Sequence, residues 1–163
     1  IVSIMEAFPD VRFVFIARTP YKAIPSLVSL FYAMWEVHSP GIAKDSPETR
    51  AVAQMGLDYY RYLVEMCESM PEERYICVTF EELTGDPEAV VAQIYDHFGL
   101  DMSEAYRTRL QQALCESHGG SGTHDYSLQE YGLDQEMVDH ELEHTPQVWE
   151  REPGSQSRVG PAQ

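Results

Sequence analysis

Basic residues are scarce in this sequence: eleven lysines and arginines stand against twenty-seven aspartates and glutamates, for a formal net charge of −16. So acidic a surface repels nucleic acid and anionic membranes and argues against both as partners. Cysteine is rarer still. Cys67, Cys77 and Cys115 are too few and too widely spaced for a disulfide framework, and Cys77 falls inside an apolar run, where it reads as a small core residue. No apolar run reaches the length of a membrane span and no signal-peptide pattern is visible, so the sequence reads as cytoplasmic. Glycine clusters once, at Gly119-Gly120-Ser121-Gly122. That cluster follows a helical stretch instead of a strand and lacks the Lys-Ser/Thr ending of a phosphate loop, so it reads as a flexible connector.

What is present suits one globular domain. The 163 residues are 44% apolar and 23% charged, enough to bury a core. The chain starts at Ile1 without an initiator Met and reads as if cut inside a helix whose last turns carry Ile1, Ile4 and Met5. Residues 1–149 are expected to form an incomplete domain. From Glu150 the composition turns to Pro, Gly, Ser and Gln, which predicts a disordered tail over 150–163.

The sequence is organised around Val11 to Ser26. Val11–Ala17 is apolar and rich in β-branched and aromatic residues, the pattern of a strand buried on both faces of a parallel sheet. Arg18 stands at the C-terminal end of that strand, where open α/β sheets place ligands. Thr19 and Pro20 follow as N-cap and first helical residue, with Ser26 about two turns in. The planar guanidinium and the N–H groups of the helix start make this an anion-binding corner. Arg12, Arg18 and Lys22 are the only basic residues of the first forty. A strand ending in a surface arginine that pairs with a carboxylate is the structural alternative.

The rest of the chain alternates helices with one more strand. The first helix is expected to run from Pro20 to Val37, with Ile24, Leu27, Val28, Phe31 and Trp35 on one face. Pro25 removes little so near its start. A long amphipathic helix follows over Pro47–Met70, capped by Ser46, with Val52, Met55, Tyr59, Tyr62, Leu63 and Met66 on its apolar face. Arg74–Phe80 is a second buried strand, with Phe80 a core aromatic. Asp86-Pro87 opens a helix through Phe98 that Gly99 closes. Ser103–Glu116 and Asp134–His144 are the last helices. The pattern is α/β, parallel strands flanked by helices, but two strands are too few to complete the sheet.

The segment Phe8-Pro9-Asp10-Val11-Arg12-Phe13-Val14-Phe15-Ile16-Ala17-Arg18-Thr19-Pro20, with Ser26 eight residues after Arg18, resembles the 3′-phosphate-binding segment of the PAPS-dependent sulfotransferases. Two further segments fit the same family in the same order. Val78-Thr79-Phe80-Glu81-Glu82-Leu83-Thr84-Gly85-Asp86-Pro87, running on to Phe98-Gly99-Leu100, is similar to its strand–Tyr-Glu-Asp-Leu–Asp-Pro element. His124-Asp125-Tyr126-Ser127-Leu128-Gln129-Glu130-Tyr131-Gly132-Leu133 is similar to the late His-x-Tyr-Ser-Leu element of the bacterial branch. The chain departs from the pattern at Thr19, where the family has Asp or Asn, and at Phe80, where a tyrosine often lies near the adenine.

The resemblance implies a partial three-layer fold related to the P-loop NTPases. It implies transfer of a sulfuryl group from 3′-phosphoadenosine 5′-phosphosulfate to a hydroxyl or amine of a small-molecule or glycan acceptor, without a metal. Arg18 and Ser26 would grip the 3′-phosphate of the donor. The phosphate-loop lysine and the general base lie upstream of Ile1 in the family pattern, so this fragment is expected to be inactive alone. His38 reads as a surface histidine before an acceptor-site residue. Two other classes stand beside this one. One is a non-catalytic remnant or nucleotide-binding module. The other is a zinc metallopeptidase through His140-Glu141-x-x-His144, with Cys115-x-x-His118 as conceivable extra ligands, although the flanking acidic residues and Pro146 are unlike a buried zincin helix.

Overall fold

The computed structural model describes residues 1–117, 126–146, 148 and 149. In chain order these form α1 (Val2–Ala7), β1 (Phe13–Ala17), α2 (Pro20–His38), α3 (Pro47–Ser69), β2 (Tyr75–Thr79), α4 (Phe80–Gly85), α5 (Pro87–His97), α6 (Glu104–Ser117) and α7 (Gln135–Glu141). Single 3₁₀ turns occur at Glu72–Arg74 and Gln129–Tyr131. The glycine cluster, His118, His124, Asp125 and the tail lie outside the described residues. The chain divides into two compact units, which among these residues comprise 1–17, 67–117 and 148–149 in the first and 18–66 and 126–146 in the second.

In the first unit β1 and β2 pair in parallel, Phe13 opposite Tyr75 through Ala17 opposite Thr79. All five residues of β2 are buried. β1 is not buried on both faces: Phe15 and Ala17 are, but Val14 is 42% and Ile16 54% exposed. Composition marked the strand but could not show which face would be covered. Ile76 and Val78 pack with Val90 and Phe98, flanked by Leu83 and Ile94. Arg12 donates from Nη1 to the Phe98 carbonyl at 2.7 Å and lies over the Phe98 ring, so this arginine holds the end of α5.

Phe80 is the second correction. It is 37% exposed instead of buried in the core, because the strand stops one residue earlier. Thr79 Oγ1 accepts from the Glu82 amide at 3.1 Å, and the Glu82 carboxylate accepts from the Thr79 amide at 2.8 Å. This reciprocal capping box turns the chain into α4. The next helix opens as expected, with the Asp86 carboxylate capping the Ala89 amide and Pro87 in the first turn.

In the second unit α2 buries Ile24, Pro25 and Val28, and Leu27, Phe31 and Trp35 are half-buried. α3 starts where Ser46 and Pro47 placed it, with Ser46 Oγ accepting from the Thr49 amide. Its apolar face is rotated from the expected one: Val52, Ala53, Leu57, Leu63 and Val64 are buried, whereas Met55 is 49% and Tyr59 59% exposed. The helices approach closely, since a Cβ on Gly56 would meet Ile24 Cδ1 at 2.7 Å. Small residues mark the contact, and they carry little hydrophobic signal. α7 ends at Glu141 instead of His144, with Val138 and Leu142 buried.

Candidate anion-binding site

The corner forms where the sequence placed it. β1 ends at Ala17 and α2 begins at Pro20, and the Thr19 carbonyl takes the first helical bonds, from the Lys22 and Ala23 amides at 3.0 Å each. Thr19 holds the N-cap position, but its hydroxyl makes no capping bond. The positive end of the α2 dipole is thus left to act on whatever anion approaches the first turns.

Arg18 and Ser26 are brought together. Both line one cavity of about 570 Å³, whose other polar groups are Ser29 and Tyr126 and whose apolar wall includes Leu27 and Leu30. Eight residues apart, the two line the same cavity because Arg18 directly precedes the helix and Ser26 lies on the side of α2 that faces it. Arg18 is half-buried and its Nε is shielded from solvent. Ser29 Oγ donates to the Ser26 carbonyl at 2.9 Å. The Arg18 carbonyl accepts from the Tyr60 hydroxyl of α3 at 2.6 Å. Lys22 is exposed and does not line the cavity.

A second cavity of about 450 Å³ lies farther along α2, lined by Leu30, Ala33, Met34, Trp35, Val37 and His38. It shares Leu30 and Ala33 with the first. His38 is exposed at the last position of α2.

The His140-Glu141-x-x-His144 run does not form a helical ligand pair. α7 stops at Glu141, so His144 lies beyond it. The Glu141 carboxylate accepts from Gln54 Nε2 and Arg61 Nη1, both at 3.1 Å. Among the described residues no three metal-ligating side chains gather.

Sequence reasoning missed Ser29, Tyr60 and Tyr126. Ser29 could have been found one turn after Ser26. Tyr126 stood inside the late segment already singled out. Tyr60 carried no local signal, being one of several tyrosines on α3.

Comparison with known proteins fits this geometry. Residues 1–104 match the model of the Sulfotransferase family. The omega-hydroxy-beta-dihydromenaquinone-9 sulfotransferases Stf3 of Mycobacterium bovis and Mycobacterium tuberculosis are each 34% identical over 128 residues, covering 77% of this chain and 32% of theirs. The crystal structure of sulfotransferase STF9 from Mycobacterium avium superposes with a TM-score of 0.71 at 22% identity, over 88% of this chain and 37% of that one. That of STF1 from Mycobacterium tuberculosis H37Rv gives 0.61 at 26% identity, over 86% and 35%. The chain therefore spans about a third of the length of these relatives. No helix among the described residues is long and apolar enough to cross a membrane. A parallel strand pair flanked by helices, an arginine directly after the first strand and a family match across both strands lead to one assignment: the chain belongs to the Sulfotransferase family.

Proposed function

We propose that this chain forms the donor-anchoring part of an enzyme that moves a sulfuryl group from 3′-phosphoadenosine 5′-phosphosulfate to an acceptor hydroxyl or amine. The observation that carries this reading is the convergence of Arg18 and Ser26 on one cavity. A cavity with a guanidinium, two serine hydroxyls and a phenol suits a phosphate, and the start of α2 adds positive potential. The net charge of −16 opposes a polyanion, but screening confines that opposition to roughly 8 Å at physiological salt, so the local arginine decides.

In this reaction the donor's bond from sulfur to the bridging phosphate oxygen breaks as the acceptor oxygen or nitrogen bonds to sulfur. The acceptor loses its proton, and 3′-phosphoadenosine 5′-phosphate leaves. Arg18 and Ser26 would hold the nucleotide at its 3′-phosphate and fix its orientation. The base and the cradle for the 5′-phosphosulfate have no counterpart among the residues assigned here, so we expect the 163-residue chain to bind nucleotide without turnover. The adjoining cavity, walled by Leu30, Met34, Trp35 and Val37, fits a small-molecule acceptor with an apolar body better than a glycan. The hydroxylated menaquinone in the name of the curated relatives is of that kind. A cytoplasmic setting goes with this reading, since three widely spaced cysteines suit a reducing compartment.

Calorimetric titration of 3′-phosphoadenosine 5′-phosphate, beside the nucleotide lacking the 3′-phosphate, tests the proposal. Loss of the charge-assisted contact in Arg18→Ala should cost about 1.5–3 kcal/mol of binding, roughly tenfold to a hundredfold in affinity. Arg18→Lys should restore part of it, because a point charge replaces the planar fork. Ser26→Ala should cost about 1 kcal/mol. Equal affinity of wild type and Arg18→Ala for the 3′-phosphorylated nucleotide would overturn the reading. Turnover of donor by the isolated chain would overturn its division of labour.

A further inference from the structure

The carbonyl of Arg18 has an unusual position in the backbone accounting. The parallel ladder ends with Ala17 opposite Thr79, and the first carbonyl taken up by α2 is that of Thr19. Arg18 therefore lies between two regular elements, where a half-buried carbonyl needs a donor from elsewhere in the fold. Tyr60 supplies one, its phenol 2.6 Å from the carbonyl oxygen across forty-two positions of sequence. Tyr60 is half-buried on the side of α3 that also buries Leu57, Leu63 and Val64, so its ring is held by a helix and not by a loop.

We infer that Tyr60 is the positioning residue of the anion site: by fixing the peptide plane after Arg18 it aims the guanidinium into the cavity and so sets the preference for a 3′-phosphorylated nucleotide. This inference rests on the function proposed above. The peptide plane at Arg18 is a lever for the side chain, because rotation about ψ of Arg18 moves the carbonyl and the start of α2 together relative to the guanidinium. A hydroxyl that holds the carbonyl removes that freedom before the ligand arrives, and pre-organisation of this kind is worth most where a planar fork must meet a phosphate. Tyr60 need not touch the ligand; it does not line the cavity.

The test uses the whole 163-residue chain with Tyr60→Phe, which removes only the hydroxyl, and Tyr62→Phe, which removes the hydroxyl of an exposed neighbour on the same helix. The readout is the ratio of affinities for 3′-phosphoadenosine 5′-phosphate and adenosine 5′-phosphate. Tyr60→Phe should lower this ratio about threefold to tenfold and leave the affinity for adenosine 5′-phosphate unchanged, whereas Tyr62→Phe should keep the wild-type ratio. A ratio unchanged in Tyr60→Phe but abolished in Arg18→Ala would overturn the inference and leave the donor site standing. A ratio unchanged in Arg18→Ala would instead bring down the donor reading. The Arg18 Nε–H resonance of the ligand-free chain gives a second readout that needs no nucleotide. Tyr60→Phe should shift it and speed its exchange with water, and an unmoved resonance would overturn the positioning role.

Discussion

The Cβ that Gly132 lacks would stand 2.7 Å from Cβ of Asp45 and 3.5 Å from its Cα. Gly132 has φ +64°, in the left-handed region, so two constraints meet at one residue. The contact ties the turn before α7 to the loop before α3. Lys44 reinforces it with an ion pair to Glu130 while lying 5.8 Å from the ring centres of both Tyr32 and Tyr131. Gly132→Ala should therefore destabilise the chain by about 1–3 kcal/mol, the sum of left-handed strain and a close contact that the exposed Asp45 loop relieves in part. Urea unfolding measures it. A variant as stable as wild type would show that the loop yields without cost.

The capping box that turns the chain after β2 should be as costly to break. Thr79 is 4% exposed, so its amide depends on the Glu82 carboxylate and that of Glu82 on the Thr79 hydroxyl. Thr79→Val keeps the branched shape for the strand and loses the cap; the expected loss is about 1–2 kcal/mol. Glu82→Gln, which can still accept from the Thr79 amide, should lose less. Equal losses would mean that the carboxylate charge matters more than the reciprocal geometry.

These two sites also show how much of the structure was legible. Thr79-Phe80-Glu81-Glu82 is a capping-box signature, and reading it would have ended the strand at Thr79 and exposed Phe80. The apolar run through Phe80 masked it. The starts of α2 and α3 followed from Pro20, Ser46 and Pro47, whose effects are local. The buried face of α3 did not, because Gly56 makes the close contact and Ala53 is fully buried while Met55 and Tyr59 carry more hydrophobic weight and stay outside. The order of strand, Arg18, helix start and Ser26 two turns in was legible from Thr19 and Pro20, whereas the pairing of Arg18 with Ser26 came from the family resemblance. The Tyr60 bond to the Arg18 carbonyl and the place of Tyr126 in the cavity wall were not legible, since both are tertiary relationships that no local spacing encodes.

The open face of β1 carries a prediction about association. Val14 and Ile16, two residues apart on one face of the strand, are 42% and 54% exposed, and such a pair on a short sheet favours contact with other chains. At high concentration the chain should self-associate. The double substitution Val14→Thr and Ile16→Thr should reduce that association in sedimentation velocity while changing stability by no more than about 0.5 kcal/mol. Undiminished association would place the adhesive surface elsewhere.

Acid sensitivity should trace in part to Glu141. Its carboxyl is held below the ordinary value of 4.5, first by the hydrogen bond from Gln54 and then by that from Arg61, with burial working in the opposite direction. Arg61 also donates from Nη1 to the Glu141 carbonyl at 2.7 Å, so the helix end and the carboxylate are held together. A folded-state pKa below the unfolded one means that the unfolded chain binds the proton more tightly. The stabilisation is therefore complete above the ordinary carboxylate range and fades as pH falls through the lowered folded value. Both partners are about one-third exposed, so the effect is small and screened by salt. Comparison of wild type with Glu141→Gln removes the background from the other carboxylates. The stability gap between them should be constant from pH 7 to about 5 and shrink progressively as pH falls below about 4.5 through the lowered folded value. It should also narrow in 1 M salt. A gap that persists unchanged at pH 3 would assign the role of Glu141 to its shape and neutral hydrogen bonding instead of its charge.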